Sequence, residues 1–264
     1  MPDTDNSQGT PWRALARRVS RLWVSRNWAT VLLLLSWQAF VSISNVNSIV
    51  FPSPIQVFRD LLSNSGLYLT ATVSTVALAA SGLAVGLGAG TAIAVLAWLS
   101  PVTQGLLAPV TLLFTSVPIV TLIPIIARIA GYGPGTVFTI VAGLSFFPTF
   151  VFTSAGLKVS ASTGHDLFSA FGASPWKRFI LLTAPAALPS WMVGLRIAAP
   201  FAILSAMLAE FLMGTNGLGY VFRVAAASFD TQRALGASVI AMAISVASFA
   251  LARYAERRIS LRWQ

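Results

Sequence analysis

Few side chains in this sequence could do chemistry. His165 is its single histidine, cysteine is absent, and aspartate and glutamate together number 7 in 264 residues. One histidine cannot supply the two-histidine spacing of a catalytic zinc site, and no serine, histidine and acid lie close enough to suggest a nucleophilic relay. Without cysteine there is no disulfide and no thiolate metal site. His165 stands close to Phe168 and reads as a contact residue rather than a general base. The glycine-rich stretch GLAVGLGAG at 82–90 has neither dinucleotide-binding spacing nor the Lys-Ser/Thr that completes a phosphate loop. The chain is therefore expected to bind no metal and no cofactor, and to catalyse no reaction itself.

What surrounds these few groups is mostly apolar. Hydrophobic residues make up 56% of the chain and charged residues 9%, against about a quarter charged in soluble domains. The mean hydropathy is +0.79. A bilayer is the solvent that suits such a chain. Apolar runs predict six spans, at about 28–44, 72–98, 104–127, 136–157, 187–210 and 234–252. The fold class expected is all-α and polytopic. The net charge of +10 does not point to nucleic acid, because the basic residues cluster at the ends of apolar runs instead of striping one face. Six spans put both termini on one side. Arg13, Arg17, Arg18, Lys158, Lys177, Arg257 and Arg258 share that side, which marks it as cytoplasmic.

The expected organisation has four parts. Residues 1–27 form a cytoplasmic segment, polar at first and then an amphipathic basic helix at 12–26 suited to an anionic membrane surface. Residues 28–66 hold the first span and an external segment with turn prolines Pro52 and Pro54. A cleaved signal peptide is the rival reading of the first span, and an uncleaved anchor is favoured. Residues 67–252 form the core with a cytoplasmic loop at 158–186, and 253–264 form a basic tail. Gly82, Gly86 and Gly90 recur every fourth residue, a flat stripe that lets another backbone approach closely. Whether that backbone belongs to this chain or to a second copy is open at this level. Pro109, Pro118 and Pro124 should bend the third span. Glu210 and Arg128, near the outer span ends, read either as a gate or substrate contact or as a structural pair or snorkelling groups. Arg196 reads as reaching toward cytoplasmic headgroups.

The cytoplasmic loop carries GHDLFSAFGASPWKRFILLTAPAALP at 164–189. Thr163 and Asp166 have capping-box spacing, predicting a short helix over 164–171 that stops near Gly172. Leu167, Phe168 and Phe171 fall on one side of it. So short a helix needs its apolar side covered. Periodicity alone leaves open whether this is an ordinary surface helix or one that a motor protein pushes on. Pro175 suits the first turn of the next helix, and Pro185 and Pro189 shape the return to the bilayer.

Residues 164–189 resemble the EAA loop of the permease subunits of bacterial ATP-binding cassette importers. Asp166, Gly172 and Pro185 match its acidic residue, glycine and proline in register. The likeness continues in FPSPIQVF at 51–58, SVPIVTLIPI at 116–125, GLRIA at 194–198, Ala209-Glu210, GLG at 217–219 and ERRISLRW at 256–263. It is similar above all to the nitrate, sulfonate and taurine branch. The family commonly has Glu-Ala-Ala where this chain has Asp166-Leu167-Phe168, which implies a cognate partner fitted to bulkier residues. The resemblance implies a type I importer fold with a coupling helix at 164–171. It implies a second permease copy, a separate ATPase that holds the ATP, and an external solute-binding protein that docks on 45–66 and 211–233. An ion-gradient-driven carrier and a non-transporting membrane scaffold are the alternatives. A carrier would be expected to show internal repeats and paired intramembrane acids, and neither is evident.

Overall fold

A computed structural model describes residues 11–44, 47, 49–100, 102–103, 119–162, 168, 172 and 174–260. Among the described residues every regular element is helical. In chain order they are α1 (Pro11–Ser44), α2 (Pro54–Ser63), α3 (Ser65–Leu99), α4 (Ile119–Ala130) and α5 (Pro134–Ser162). Next come α6 (Pro175–Arg178), a π turn (Phe179–Thr183), α7 (Ala184–Met213), α8 (Leu218–Ala227) and α9 (Thr231–Ser260). Four stretches are long and apolar enough to cross a membrane: Ser65–Leu99, Pro134–Val159, Trp176–Met213 and Thr231–Ile259. They correspond to the second, fourth, fifth and sixth expected spans. The first span appears as the shorter apolar helix Trp28–Ser44, continuous with the basic helix before it. The third is described only over α4, which contains Pro124 without interruption. Pro109 and Pro118 lie outside the described residues.

Helices α3, α5 and α7 form the centre. The glycine stripe explains how they approach so closely. A Cβ on Gly82 would stand 2.7 Å from the Val141 side chain, one on Gly86 2.6 Å from the Ala142 carbonyl, and one on Gly90 2.8 Å from the Phe146 carbonyl. The partner of the stripe is therefore α5 of the same chain. On the other side α7 offers Ala198, Ala202, Ala206 and Ala209, all buried. Hydrocarbon gives little reason for apolar helices to leave lipid, so small residues that bring backbones into contact supply the packing. Trp191 on α7 adds a bond from its indole Nε1 to Thr91 Oγ1 on α3 at 2.7 Å.

Helix α1 stands apart. Leu32, Leu33 and Leu35 are exposed, as fits a lipid-facing surface, and Phe51 tethers the helix end through rings 5.6 Å from Trp37 and 6.4 Å from Phe40. Helix α2 begins with a capping box. Gln56 N donates to Ser53 Oγ at 3.3 Å, and Ser53 N donates to Gln56 Oε1 at 2.8 Å. Pro54 at the first helical position gives up no helical bond.

The fifth span begins at Trp176, well before the expected start at about 187. A proline ring clashes with the carbonyl four residues back, which opposes a regular helix through Pro185. Instead the Ala184 amide donates to the Phe179 carbonyl, five residues away. That wider turn accommodates Pro185 and lets the helical path run from Pro175 to Met213.

Candidate functional site

Among the described residues, polar side chains of this apolar bundle gather at three places. At the C-terminal end of α7, α8 starts at Leu218 with Gly217 before it. Glycine has no side chain to cap the free amides of a first turn. Glu210, back along the chain in α7, does so. Gly219 N donates to Glu210 Oε2 at 3.0 Å, and Thr75 Oγ1 on α3 donates to the same oxygen at 2.8 Å. Thr75 Oγ1 in turn accepts from Leu218 N at 2.9 Å. A carboxylate and a hydroxyl thus replace the missing cap, with the acid where the helix dipole favours it.

The glycines around Glu210 are needed for its fit. Gly217 has a φ of +94°, and a Cβ there would run into the Glu210 carboxyl group. A Cβ on Gly219 would come 2.7 Å from Glu210 Cβ. The connection between the helices is closed by Gly214 N donating to the Glu210 carbonyl at 2.9 Å and by Arg223 Nη2 donating to the Gly214 carbonyl at 3.0 Å. Glu210 is fully buried. Arg128 is not brought to it: that side chain is exposed in the last turn of α4. Thr75 carried no sign of this role, being one of several hydroxyls in an apolar run.

A second polar knot centres on Asp60. Tyr68 Oη donates to Asp60 Oδ2 at 2.5 Å, Asn64 Nδ2 donates to Asp60 Oδ1 at 2.7 Å, and Arg233 pairs with Asp60 at 3.5 Å and Asp230 at 3.3 Å. Helices α2, α3 and α9 are joined there.

Arg196, in the first half of α7, does not snorkel as expected. Its Nη1 meets Glu256 Oε2 on α9 at 2.8 Å, with both side chains partly buried. The sequence signal missed was Glu256, which sits in a basic tail and looks like surface charge. Exchanging the two charges (Arg196→Glu with Glu256→Arg) should recover most of the thermal stability that either single change removes. Simple additivity of the two losses in a double-mutant cycle would show that the pair does not matter.

Of the expected coupling segment 164–171, His165, Asp166, Leu167 and Phe171 lie outside the described residues. Phe168 is half-buried and Gly172 is exposed with a φ of +63°, a conformation that commonly ends helices. Beyond it, Trp176 stacks on Phe179 at 5.6 Å, and Phe179 meets Trp98 of α3 at 5.1 Å. The chain leaving the segment is thereby fastened to the C-terminal end of α3. Helices α4, α5 and α7 enclose an apolar groove of about 370 Å³, lined among others by Ile126, Thr139, Phe147, Phe152 and Phe201. Among the described residues no three metal-ligating side chains come together.

This all-helical bundle of membrane length matches, over residues 82–261, the family described as binding-protein-dependent transport system inner membrane component. The chain belongs to that family, the permease subunits of ATP-binding cassette importers. It is 31% identical over 216 residues to the formylaminopyrimidine transport permease ThiX of Halalkalibacterium halodurans, covering 81% of this chain and 86% of the relative. It is 30% identical over 241 residues to the riboflavin transport permease RibX of Chloroflexus aurantiacus, covering 89% and 88%. The taurine transport permease TauC of Escherichia coli is 26% identical over 245 residues, covering 87% and 86%. The likeness to these permeases does not favour a secondary carrier or a passive scaffold. A permease subunit is non-catalytic.

Proposed function

We propose that this permease imports a small, flat heterocyclic solute. The carrying observation is that relatives 31% and 30% identical to it are permeases for formylaminopyrimidine and riboflavin transport. Phe147, Phe152 and Phe201 in the apolar groove add support, because phenyl faces stack well on flat rings. A binding protein outside the cell delivers the solute to the surface formed by 45–66 and 211–233. Two permease copies pair around the path, with both termini in the cytoplasm, and a separate ATPase binds the ATP. Proteoliposomes holding the assembled complex and its binding protein should accumulate a labelled formylaminopyrimidine when ATP is inside, with ion gradients collapsed. Accumulation of taurine in its place would overturn the substrate class.

Force reaches the bundle through the helix at 164–171. Thr163 and Asp166 form the capping box at its start, Gly172 ends it, and Leu167, Phe168 and Phe171 fill a groove on the ATPase. Pro185 and the π turn carry its movement into α7. Replacing Leu167, Phe168 and Phe171 together with aspartate should abolish copurification of the ATPase while the subunit still inserts in the membrane. Copurification at normal yield would contradict this role.

A further inference from the structure

Phe229 is the one non-glycine residue with a positive φ among those described, at +57°. It closes α8. Its amide donates to the Ala226 carbonyl at 3.2 Å, and the Asp230 amide donates to the Ala225 carbonyl at 2.8 Å. That pairing is a left-handed helix stop, where glycine is the usual residue. A bulky side chain in this conformation is strained. Strain held at one residue points to a use beyond the local fold.

The phenyl ring is 76% exposed, so little of the strain is offset by burial among the described residues. Nor does its setting suit hydrocarbon. Asp230 and Arg233 form an ion pair at 3.3 Å just beyond it, and charged groups avoid the bilayer core. The hydroxyl of Thr231 donates to the Ile49 carbonyl, which draws the external strand of chain before α2 toward this loop. Ile49 and Val50 are themselves 53% and 71% exposed. An exposed aromatic ring with aliphatic neighbours on a charged, wetted rim is the composition of a protein-binding anchor.

We infer that Phe229, flanked by Ile49 and Val50, is the anchor on which the solute-binding protein seats, and that the contacting face of that protein offers an apolar cleft. This rests on the functional reading above, in which the end of the bundle carrying α2 and α8 faces outward. The family's dependence on a binding protein names the partner. The neighbouring charges argue for a protein over lipid.

The test uses the assembled permease–ATPase complex in nanodiscs, with the binding protein that stimulates ATP hydrolysis by the wild-type complex as the probe. Phe229→Gly relieves the strain and should raise the unfolding temperature by about 2–4 °C. It should also need about tenfold more binding protein for half-maximal stimulation, the change typical of losing an aromatic anchor. Phe229→Trp keeps a ring and should respond at the wild-type concentration. Because the chain has no cysteine, Phe229→Cys gives a direct readout. A membrane-impermeant maleimide added outside should label it, and saturating binding protein should block the label.

A Phe229→Gly complex stimulated at the wild-type concentration overturns the inference alone. So does a loss that appears in nanodiscs and vanishes in detergent micelles, which would make the ring a bilayer anchor. A wild-type complex that no binding protein stimulates overturns the functional reading, and this inference with it.

Discussion

Glu210→Ala is expected to lower the unfolding temperature of the purified subunit by about 6–12 °C, corresponding to roughly 3 kcal/mol for a chain of this size. The change strands two donors at once. Gly219 N loses its acceptor, and Thr75 Oγ1 loses the oxygen that fixes its hydroxyl while it still receives Leu218 N. Each unsatisfied buried polar group costs about 1–3 kcal/mol, and the void left by the side chain adds to that. Water cannot easily repair the site, because Glu210 is fully buried. Glu210→Gln keeps one carbonyl acceptor in the same volume and should cost about 1 kcal/mol. Thr75→Val removes only the relay hydroxyl and should fall between the two. Its effect should largely vanish in the Glu210→Ala background, since the two residues act as one unit. Thermal unfolding followed by tryptophan fluorescence measures wild type, the three single variants and the double variant. Equal midpoints for wild type and Glu210→Ala would show that the amides of α8 find other partners.

The consequence for transport follows from where the cap sits. Helix α8 touches the long helices through Leu218, Gly219, Val221 and Ala225, all buried, and through Phe222, whose ring lies 5.6 Å from Phe211 of α7. Its hydrogen bonds to α7 and α3 run through Glu210 and Thr75. A push on α8 would thus reach both helices of the packed centre.

The contrast between what the residues foretold and what they hid has a physical cause. Apolar runs are long, local and periodic, so α3, α5, α7 and α9 were visible as spans from composition alone. The capping box at Ser53 and Gln56 is local too, and Pro52 and Pro54 announced the turn before it. Pairings across the bundle leave no such trace. Thr75 lies 135 residues from Glu210 and Arg196 lies 60 from Glu256, and nothing in either segment states the partner. Family likeness picked out Glu210, GLG at 217–219 and GLRIA at 194–198 as separate words. The folded chain shows that the first two are halves of one contact. Pro175 announced the helix start before α7, but nothing in the apolar run from about 187 announced the π turn that carries the helix on through Pro185.

Two glycines of α3, two residues apart, give the sharpest test of the packing. Gly86→Ala should cost about 2–3 kcal/mol, within the range of overpacking, and Gly86→Leu should prevent accumulation of the subunit in the membrane. The added Cβ at Gly86 would stand 2.6 Å from the Ala142 carbonyl oxygen, 2.7 Å from Ser145 Cβ and 2.9 Å from the Phe146 amide nitrogen. Two of those three atoms are backbone of α5, so no rotamer change can give way. The helices must separate, and separation loosens the neighbouring contacts at Gly82 and Gly90 as well. Gly88 is the control, since a Cβ there meets nothing within 4 Å. Gly88→Ala should leave stability unchanged or raise it slightly, because alanine favours the helix by about 0.5–1 kcal/mol. The comparison needs only membrane yield and unfolding temperature for the two alanine variants. If Gly86→Ala proves as harmless as Gly88→Ala, the close approach of α3 to α5 is wrong, and the bundle around α7 would have to be assembled differently.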